Sequence, residues 1–411
     1  MKFILICENC QKKFQPESGY YVCPICNGRL KIIYKKDNRF VENYPKIFSG
    51  MWKYYCYLPI EKGNVISLGE GDTPLLNANN NYHDVNLWIK NETINPTGTY
   101  KDRPASVGIT RAKELNANGI VVASDGNTGP AVAAYSARAG LPCIVLMPKN
   151  TPFYRYTQAA SFGAKIILID GSVNDCIDLS NKITEIKGYH NCTTASIVNP
   201  YQIEANKTIS YEIIEKLGYS PDWVAVPVGG GGLLVGMMRG FQELYNLKKI
   251  SRIPRILAVQ AEACSPFVSA CVNNKHIVKW EGTFKTKAFP IAVPYPLDGD
   301  IAMDFLKQSG GYAIAINEKE ILKSVKNLAQ NVGILAEPAG GISFAGILKA
   351  RKKGIIKKKE NCVAVITGTG LKSLDIFNNL KKSIYFFSND IKQMAYFLNE
   401  IENATKRNVR D

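Results

Sequence analysis

The sequence predicts an α/β protein with two parallel-sheet domains and a small cysteine-rich unit at its N-terminus. Three observations carry that expectation. Short, wholly apolar runs alternate with helix-compatible segments, as they do when parallel strands are covered on both faces. A chain of 411 residues has room for two or three domains. Four of the eleven cysteines stand as two CxxC pairs near the start.

Those pairs read Cys7-x-x-Cys10 and Cys23-Pro-Ile-Cys26. Each knuckle presents two sulfurs on one side of a tight turn, and four thiolates fill a closed tetrahedral zinc site. Cys7, Cys10, Cys23 and Cys26 are therefore expected to hold a structural zinc within a ribbon spanning 1–31. A disulfide framework would need an export signal, and Met1–Cys7 is too short for one. A linker follows over 32–68. Strands are then expected at Val85–Lys90, Ile120–Ser124, Cys143–Met147 and Lys165–Ile169, with helices at Ser106–Glu114, Thr128–Ala139 and Tyr154–Phe162. In the second half a helix is expected at Ile203–Leu217, and strands at Trp223–Val228, Ile256–Gln260 and Cys362–Ile366. Lys275 to Asp300 reads as loop, and 375–411 as a helical C-terminal extension.

The net charge of +16 raises the possibility of a nucleic-acid binder built around the ribbon. The basic residues are scattered, however, and a solvated basic surface explains them more simply. No apolar run approaches the ~20 residues that span a bilayer. A cytoplasmic protein with neither nucleic acid nor membrane as partner is expected, its other cysteines reduced and buried.

Three segments carry chemistry. Asn95-Pro-Thr-Gly-Thr-Tyr-Lys101-Asp-Arg-Pro places a lysine between a glycine turn and a helix, where a desolvated amine can form an imine with an aldehyde. Ser124-Asp-Gly-Asn-Thr-Gly129 joins a strand to an Ala-rich helix, and its amides suit a carboxylate or phosphate. Gly229–Gly232 follows a buried strand, and four glycines let backbone wrap a phosphate closely. It is neither a Walker motif nor GxGxxG in spacing.

In this order, with Gly69-Glu-Gly-Asp-Thr-Pro, Asn199-Pro-Tyr-Gln-Ile-Glu, Glu337-Pro-Ala-Gly and Thr367-Gly-Thr-Gly-Leu-Lys372, the chain resembles the fold type II pyridoxal-phosphate enzymes. Within them it resembles the threonine synthase family, from Cys7 to Leu371. The resemblance implies the tryptophan synthase β-like fold, with a large domain over 69–95 and 196–374 and a smaller one over 96–195. It implies pyridoxal 5′-phosphate as cofactor, a small amino acid as substrate and a homodimer. Lys101 then resembles the Schiff-base lysine, Asn127 the partner of the pyridoxal 3′-oxygen, and Gly229, Gly230, Gly231 and Gly232 the phosphate cradle. Thr367 resembles the hydroxyl facing the pyridine nitrogen. Ser124 and Thr128 lie where the family binds the substrate carboxylate, although Ser124 also suits a helix cap.

The family's pattern changes on the substrate side. Asp125 replaces a usual Ser or Thr. Ser196-Ile-Val-Asn-Pro-Tyr-Gln202 replaces Asn-Ser-x-Asn-Pro-Tyr-Arg, and a neutral amide cannot match a charged fork on phosphate. Val293-Pro-Tyr-Pro-Leu-Asp-Gly-Asp300 stands where the family carries a basic stretch. Two enzymatic readings follow. One is threonine synthase acting on O-phosphohomoserine, with Ser196 and Gln202 near the substrate. The other is a paralogue performing β- or γ-elimination or replacement on another amino acid, in the manner of diaminopropionate ammonia-lyase or cysteate synthase. In both, Lys101 is catalytic. Asp125 is expected as an acid/base group or ammonium binder, or else as a helix cap.

Overall fold

Alternating burial along Phe3–Cys7 makes it a strand (β1) with Phe3, Leu5 and Cys7 inward. It pairs antiparallel with β2 (Lys13–Phe14) and β3 (Leu30–Tyr34). β3 continues past residue 31, so the ribbon extends into the segment expected as linker. In the rest of that segment, 3-10 turns over Gly50–Tyr57 bury Met51, Trp52 and Tyr54. The structure, a computed structural model, describes residues 3–34, 49–61, 65–78, 82, 84–282, 284–374, 376, 394, 397 and 398. By internal contacts the chain forms two units, Met1–Lys372 and Ser373–Asp411. The expected C-terminal extension lies almost wholly outside the described residues.

Beyond the ribbon the elements run β4 (Leu75–Asn77), β5 (Asn86–Asn91), α1 (Asp102–Glu114), β6 (Ile120–Ala123), α2 (Thr128–Ala139), β7 (Cys143–Pro148), α3 (Phe153–Ser161), β8 (Lys165–Ile169), α4 (Val173–Lys187) and β9 (His190–Asn191). They continue α5 (Lys207–Leu217), β10 (Trp223–Pro227), α6 (Gly232–Asn246), β11 (Arg255–Ala261), α7 (Pro266–Asn273), α8 (Gly299–Gln308), β12 (Tyr312–Ile316), α9 (Glu318–Asn327), α10 (Pro338–Lys352) and β13 (Asn361–Ile366). A four-stranded sheet in the order β8-β7-β6-β9 is parallel throughout. The larger sheet runs β12-β11-β10-β13-β5-β4, with only the edge strand β4 antiparallel. Fully buried strands such as Ile120–Ala123 and Trp223–Pro227 explain why the sequence shows continuous apolar runs and no alternation.

Local chemistry adjusts several bounds. α1 begins at Asp102, with Pro104 in its first turn, where a missing N–H costs nothing. The helix expected from Ile203 opens as a 3-10 turn over Gln202–Asn206 before α5. Among the dispersed cysteines Cys143, Cys176, Cys192, Cys264 and Cys362 are buried, whereas Cys56 is exposed and Cys271 half-buried. The expectation of burial therefore fails for Cys56, which lies on the outer side of its 3-10 turn.

One buried ionic cluster ties α1 to the larger sheet. The Arg103 guanidinium donates to both oxygens of Glu92 at 2.8 Å, and to those of Glu212 at 2.6 and 2.8 Å. Lys90 Nζ donates to Glu212 at 2.6 Å and to the Thr73 carbonyl at 2.7 Å. The four charged side chains are fully buried, so two cations and two carboxylates balance without water. Burial works to raise the Glu212 carboxyl, but Arg103 and Lys90 outweigh it and hold it at about 2, against an ordinary 4.5. A depressed carboxyl stabilises the native state fully above its unfolded value and progressively less as pH falls through its folded one. Stability from this group should thus be complete above pH 4.5 and fade towards pH 2. Glu212→Gln leaves buried cations without a counter-charge and should cost about 3–5 kcal/mol at neutral pH. Urea unfolding checks this; a loss under about 1 kcal/mol would contradict a balanced cluster.

Candidate active site

The carboxyl ends of β6, β10 and β13 open onto a cavity of about 340 Å³ between the two sheets. Parallel strands place ligand sites at such ends, because the following loops and helix N-termini converge there. Lys101 enters at the start of α1. Its preceding turn is pinned to the end of β13: Tyr100 N–H and the Thr99 hydroxyl both donate to the Thr367 carbonyl at 3.0 Å. Lys101 Nζ donates to the Thr194 hydroxyl at 2.8 Å and lies 5.0 Å from the Tyr100 ring centre. Thr194 in turn contacts the Thr128 hydroxyl at 3.3 Å.

The loop after β6 supplies the next wall. The Ser124 hydroxyl oxygen accepts from the N–H groups of Gly126 at 3.2 Å and Gly129 at 3.1 Å. It therefore does the work of a cap and shapes the loop. No side-chain bond of Asp125 caps α2, whose own N-cap is Asn127. Asp125 is half-buried and lines the cavity. Burial raises its carboxyl, with Arg155 and Lys101 opposing. Asn127 Nδ2 donates to Glu337 Oε1 at 2.6 Å. Glu337 is buried at the foot of α10, and its N–H donates to the Gly368 carbonyl at 3.0 Å. Burial raises this carboxyl too, against Lys372 and Asn127.

Opposite, β10 leads through Gly229–Gly232 into α6. Gly231 has φ of 96°, and a Cβ there would meet the Asp298 carbonyl at 2.9 Å. Only glycine satisfies both constraints. The space in front of Gly230 is open, so a phosphate fits against this backbone and the N-terminus of α6. Thr367 completes the lining at the end of β13. Lys101, Asn127, the glycine loop and Thr367 thus meet in one cavity that suits pyridoxal phosphate.

Ser196 and Gln202 sit deeper. Ser196 gives its N–H and hydroxyl to the Asp298 carboxylate, and it is not among the lining residues. Gln202 reaches the cavity, but its amide nitrogen donates to the Thr193 carbonyl at 2.6 Å. Sequence reasoning missed Thr194, Glu337 as a side chain, and Asp298. Thr194 follows a two-residue strand too short to leave a pattern. Asp298 lies in the stretch read as loop.

In the ribbon, Cys7 and Cys26 sulfurs lie 3.5 Å apart, Cys10 and Cys23 3.6 Å, and all four within 4.8 Å. Zinc–sulfur bonds of about 2.3 Å imply tetrahedral edges of about 3.8 Å. The cluster has the shape and chemistry for zinc.

The family described as Pyridoxal-phosphate dependent enzyme matches residues 66–368. A threonine synthase from Methanocaldococcus jannaschii is 37% identical over 380 residues, 90% of this chain and 93% of that protein. One from Methanosarcina acetivorans is 33% identical over 375 residues, covering 90% and 92%. Among solved structures, maize serine racemase superposes with a TM-score of 0.64 at 22% identity, covering 76% of this chain and 92% of that one. The processed threonine deaminase isoform 2 of Solanum lycopersicum gives 0.64 at 22%, covering 76% and 88%. The structural likenesses support the fold, and the sequence relatives go further: by descent across nearly its whole length, this chain belongs to the threonine synthase family of pyridoxal-phosphate-dependent enzymes.

Proposed function

We propose that the protein performs threonine synthase-type lyase chemistry on a small, side-chain-activated amino acid, with Lys101 holding the cofactor's aldehyde carbon. The convergence of Lys101, Asn127, Gly229–Gly232 and Thr367 on one cavity carries this reading. Bound there, pyridoxal phosphate supplies an electron sink for the substrate's α carbon. The glycine-loop amides and the α6 N-terminus take the cofactor phosphate. Asn127, steadied by Glu337, would hold the 3′-oxygen, and the Thr367 hydroxyl would meet the ring nitrogen. With the cofactor bound, the Lys101 amine would hold and move protons at the substrate's α and β carbons, with the Thr194 hydroxyl beside it. Thr128 and the loop amides around Ser124 receive the substrate carboxylate. Cys7, Cys10, Cys23 and Cys26 hold one structural zinc, and two chains form a homodimer.

The cavity's charge supports a leaving group other than phosphate. Lys101 is the only lysine or arginine among the described residues that line it, whereas Asp125 and Glu337 both do. Gln202 and Ser196 carry no charge and have spent hydrogen bonds within the protein. Unit charges of like sign 4 Å apart repel by about 4 kcal/mol at an effective dielectric of ~20. A second phosphate near Asp125 would meet that repulsion with Lys101 the only cation among the described lining residues. A neutral or cationic leaving group would not. O-Phosphohomoserine is the second reading, favoured by the 37% identity to a threonine synthase over 90% of the chain.

The discriminating experiment offers the enzyme O-phosphohomoserine alongside amino acids with neutral or ammonium leaving groups, products being identified by mass. We expect the highest kcat/KM on a phosphate-free substrate. Asp125→Asn should lower that turnover about 10²–10⁴-fold, the scale of a lost acid/base group, with cofactor absorbance unchanged. Preferred conversion of O-phosphohomoserine to threonine, with Asp125→Asn near normal, would overturn the substrate assignment. For the ribbon, elemental analysis should find one zinc per chain, absent from Cys23→Ser. Zinc-free protein with four freely titrating thiols would contradict the metal assignment.

A further inference from the structure

Between the ribbon and the glycine loop lies a run of contacts that the proposed chemistry does not use. Arg29, just past the second knuckle, reaches out of the ribbon with its side chain only 16% exposed. One guanidinium nitrogen donates to the Leu297 carbonyl at 3.0 Å and lies 3.9 Å from the Asp298 carboxylate. Asp298 is fully buried and grips two active-site segments at once. Its N–H donates to the Gly230 carbonyl at 2.9 Å, and its own carbonyl occupies the place a Cβ at Gly231 would need. Its carboxylate accepts from the Ser196 N–H at 3.0 and 3.1 Å and from the Ser196 hydroxyl. Ser196 ends the short segment carrying Thr194, the partner of Lys101.

A carboxylate lodged behind a phosphate loop is electrostatically awkward. Its oxygen would stand 3.1 Å from a Cβ at Gly232, close to where a cofactor phosphate rests on the loop. Burial raises the Asp298 carboxyl, whereas Ser196, Arg29 and Arg239 stabilise its charged form. Arg239 is already paired with Glu204 at 2.6 Å. Arg29 is more weakly engaged elsewhere, 3.9 Å from Glu8, and is thus the more available counter-charge. It comes from the N-terminal ribbon, while the carboxylate it faces stands beside the glycine loop.

We infer that Arg29 is a positioning residue through which the cysteine ribbon, acting on Asp298, sets the geometry and charge of the cofactor-phosphate loop. The ribbon is then part of the active-site framework. This rests on the reading of Gly229–Gly232 as the phosphate cradle, and the test separates the two. Protein resolved of cofactor is titrated with pyridoxal phosphate and with pyridoxal, following cofactor absorbance. Equal affinity of the parent for both would remove the cradle reading itself. Where the parent prefers the phosphate, Arg29→Gln with unchanged zinc content should weaken pyridoxal phosphate about tenfold and pyridoxal less than about twofold, within the usual range of couplings between contacting groups. In an Asp298→Asn background the same change should add under about twofold, because the charge it answers is gone. Arg29→Lys keeps the charge and gives up the planar fork, so about a threefold loss confined to the phosphate form is expected. It decides the matter if the Gln variant does not fold. Unchanged affinity in these Arg29 variants, equal loss of both ligands, or a full Arg29→Gln penalty persisting beside Asp298→Asn would each overturn the inference.

Discussion

The arrangement depends on one buried ionic contact, the double fork of Arg103 on Glu92 and Glu212. Arg103 stands two residues after Lys101, in the first turn of α1, so locking its guanidinium locks the start of that helix. Glu92 follows β5, and Glu212 lies in the middle of α5. The contact therefore fixes the lysine's backbone relative to the larger sheet and not merely to its own domain. Burying charge is costly unless every partner is in place, which makes the geometry nearly all-or-none. Thr99 and Tyr100 add the second constraint by bonding to the end of β13. Between them the Lys101 amine has little freedom except along its own side chain.

The rest of the site follows from where parallel strands end. β6, β10 and β13 each deliver a loop to one cavity, and each loop has a different chemistry. The loop after β6 offers amides and a carboxylate. The loop after β10 offers bare backbone, and the end of β13 a hydroxyl. Charge is then distributed unevenly. The glycine loop gathers amides and a helix N-terminus, both suited to an anion. The loop after β6 holds Asp125, while the Gln202 amide nitrogen and the Ser196 hydroxyl are bonded within the protein. That asymmetry is a property of the cavity's own lining.

Much of this was legible in the sequence because it rests on local pattern. α2 was expected at Thr128–Ala139 and occupies those residues, since the Ala-rich run ends on a glycine in the left-handed region. β8 matches Lys165–Ile169 for the same kind of reason. Lys101, Asn127, the glycine loop and Thr367 were named from ordered boxes, and the fold brings them together. What could not be read depends on distant pairing. Glu337 meets Asn127 across 210 positions, and Asp298 meets Ser196 across 102. Neither contact leaves a periodic trace, and Asp298 was hidden in a proline-rich stretch. The Ser124 hydroxyl shows the converse. Its residue type allowed both a cap and a ligand, and only the Gly126 and Gly129 amides reveal which work it does.

Lys101 is the hinge of the account, and several other lysines are buried or near the cavity. Lys90 is committed to Glu212, and Lys372 lies behind Glu337, its amine lowered by burial. Reduction of the holoenzyme with borohydride, followed by peptide mapping, distinguishes them directly. One pyridoxyl group per chain is expected, on Lys101, together with loss of the cofactor's visible band in Lys101→Ala. A label on Lys372, Lys90 or any other lysine would contradict it.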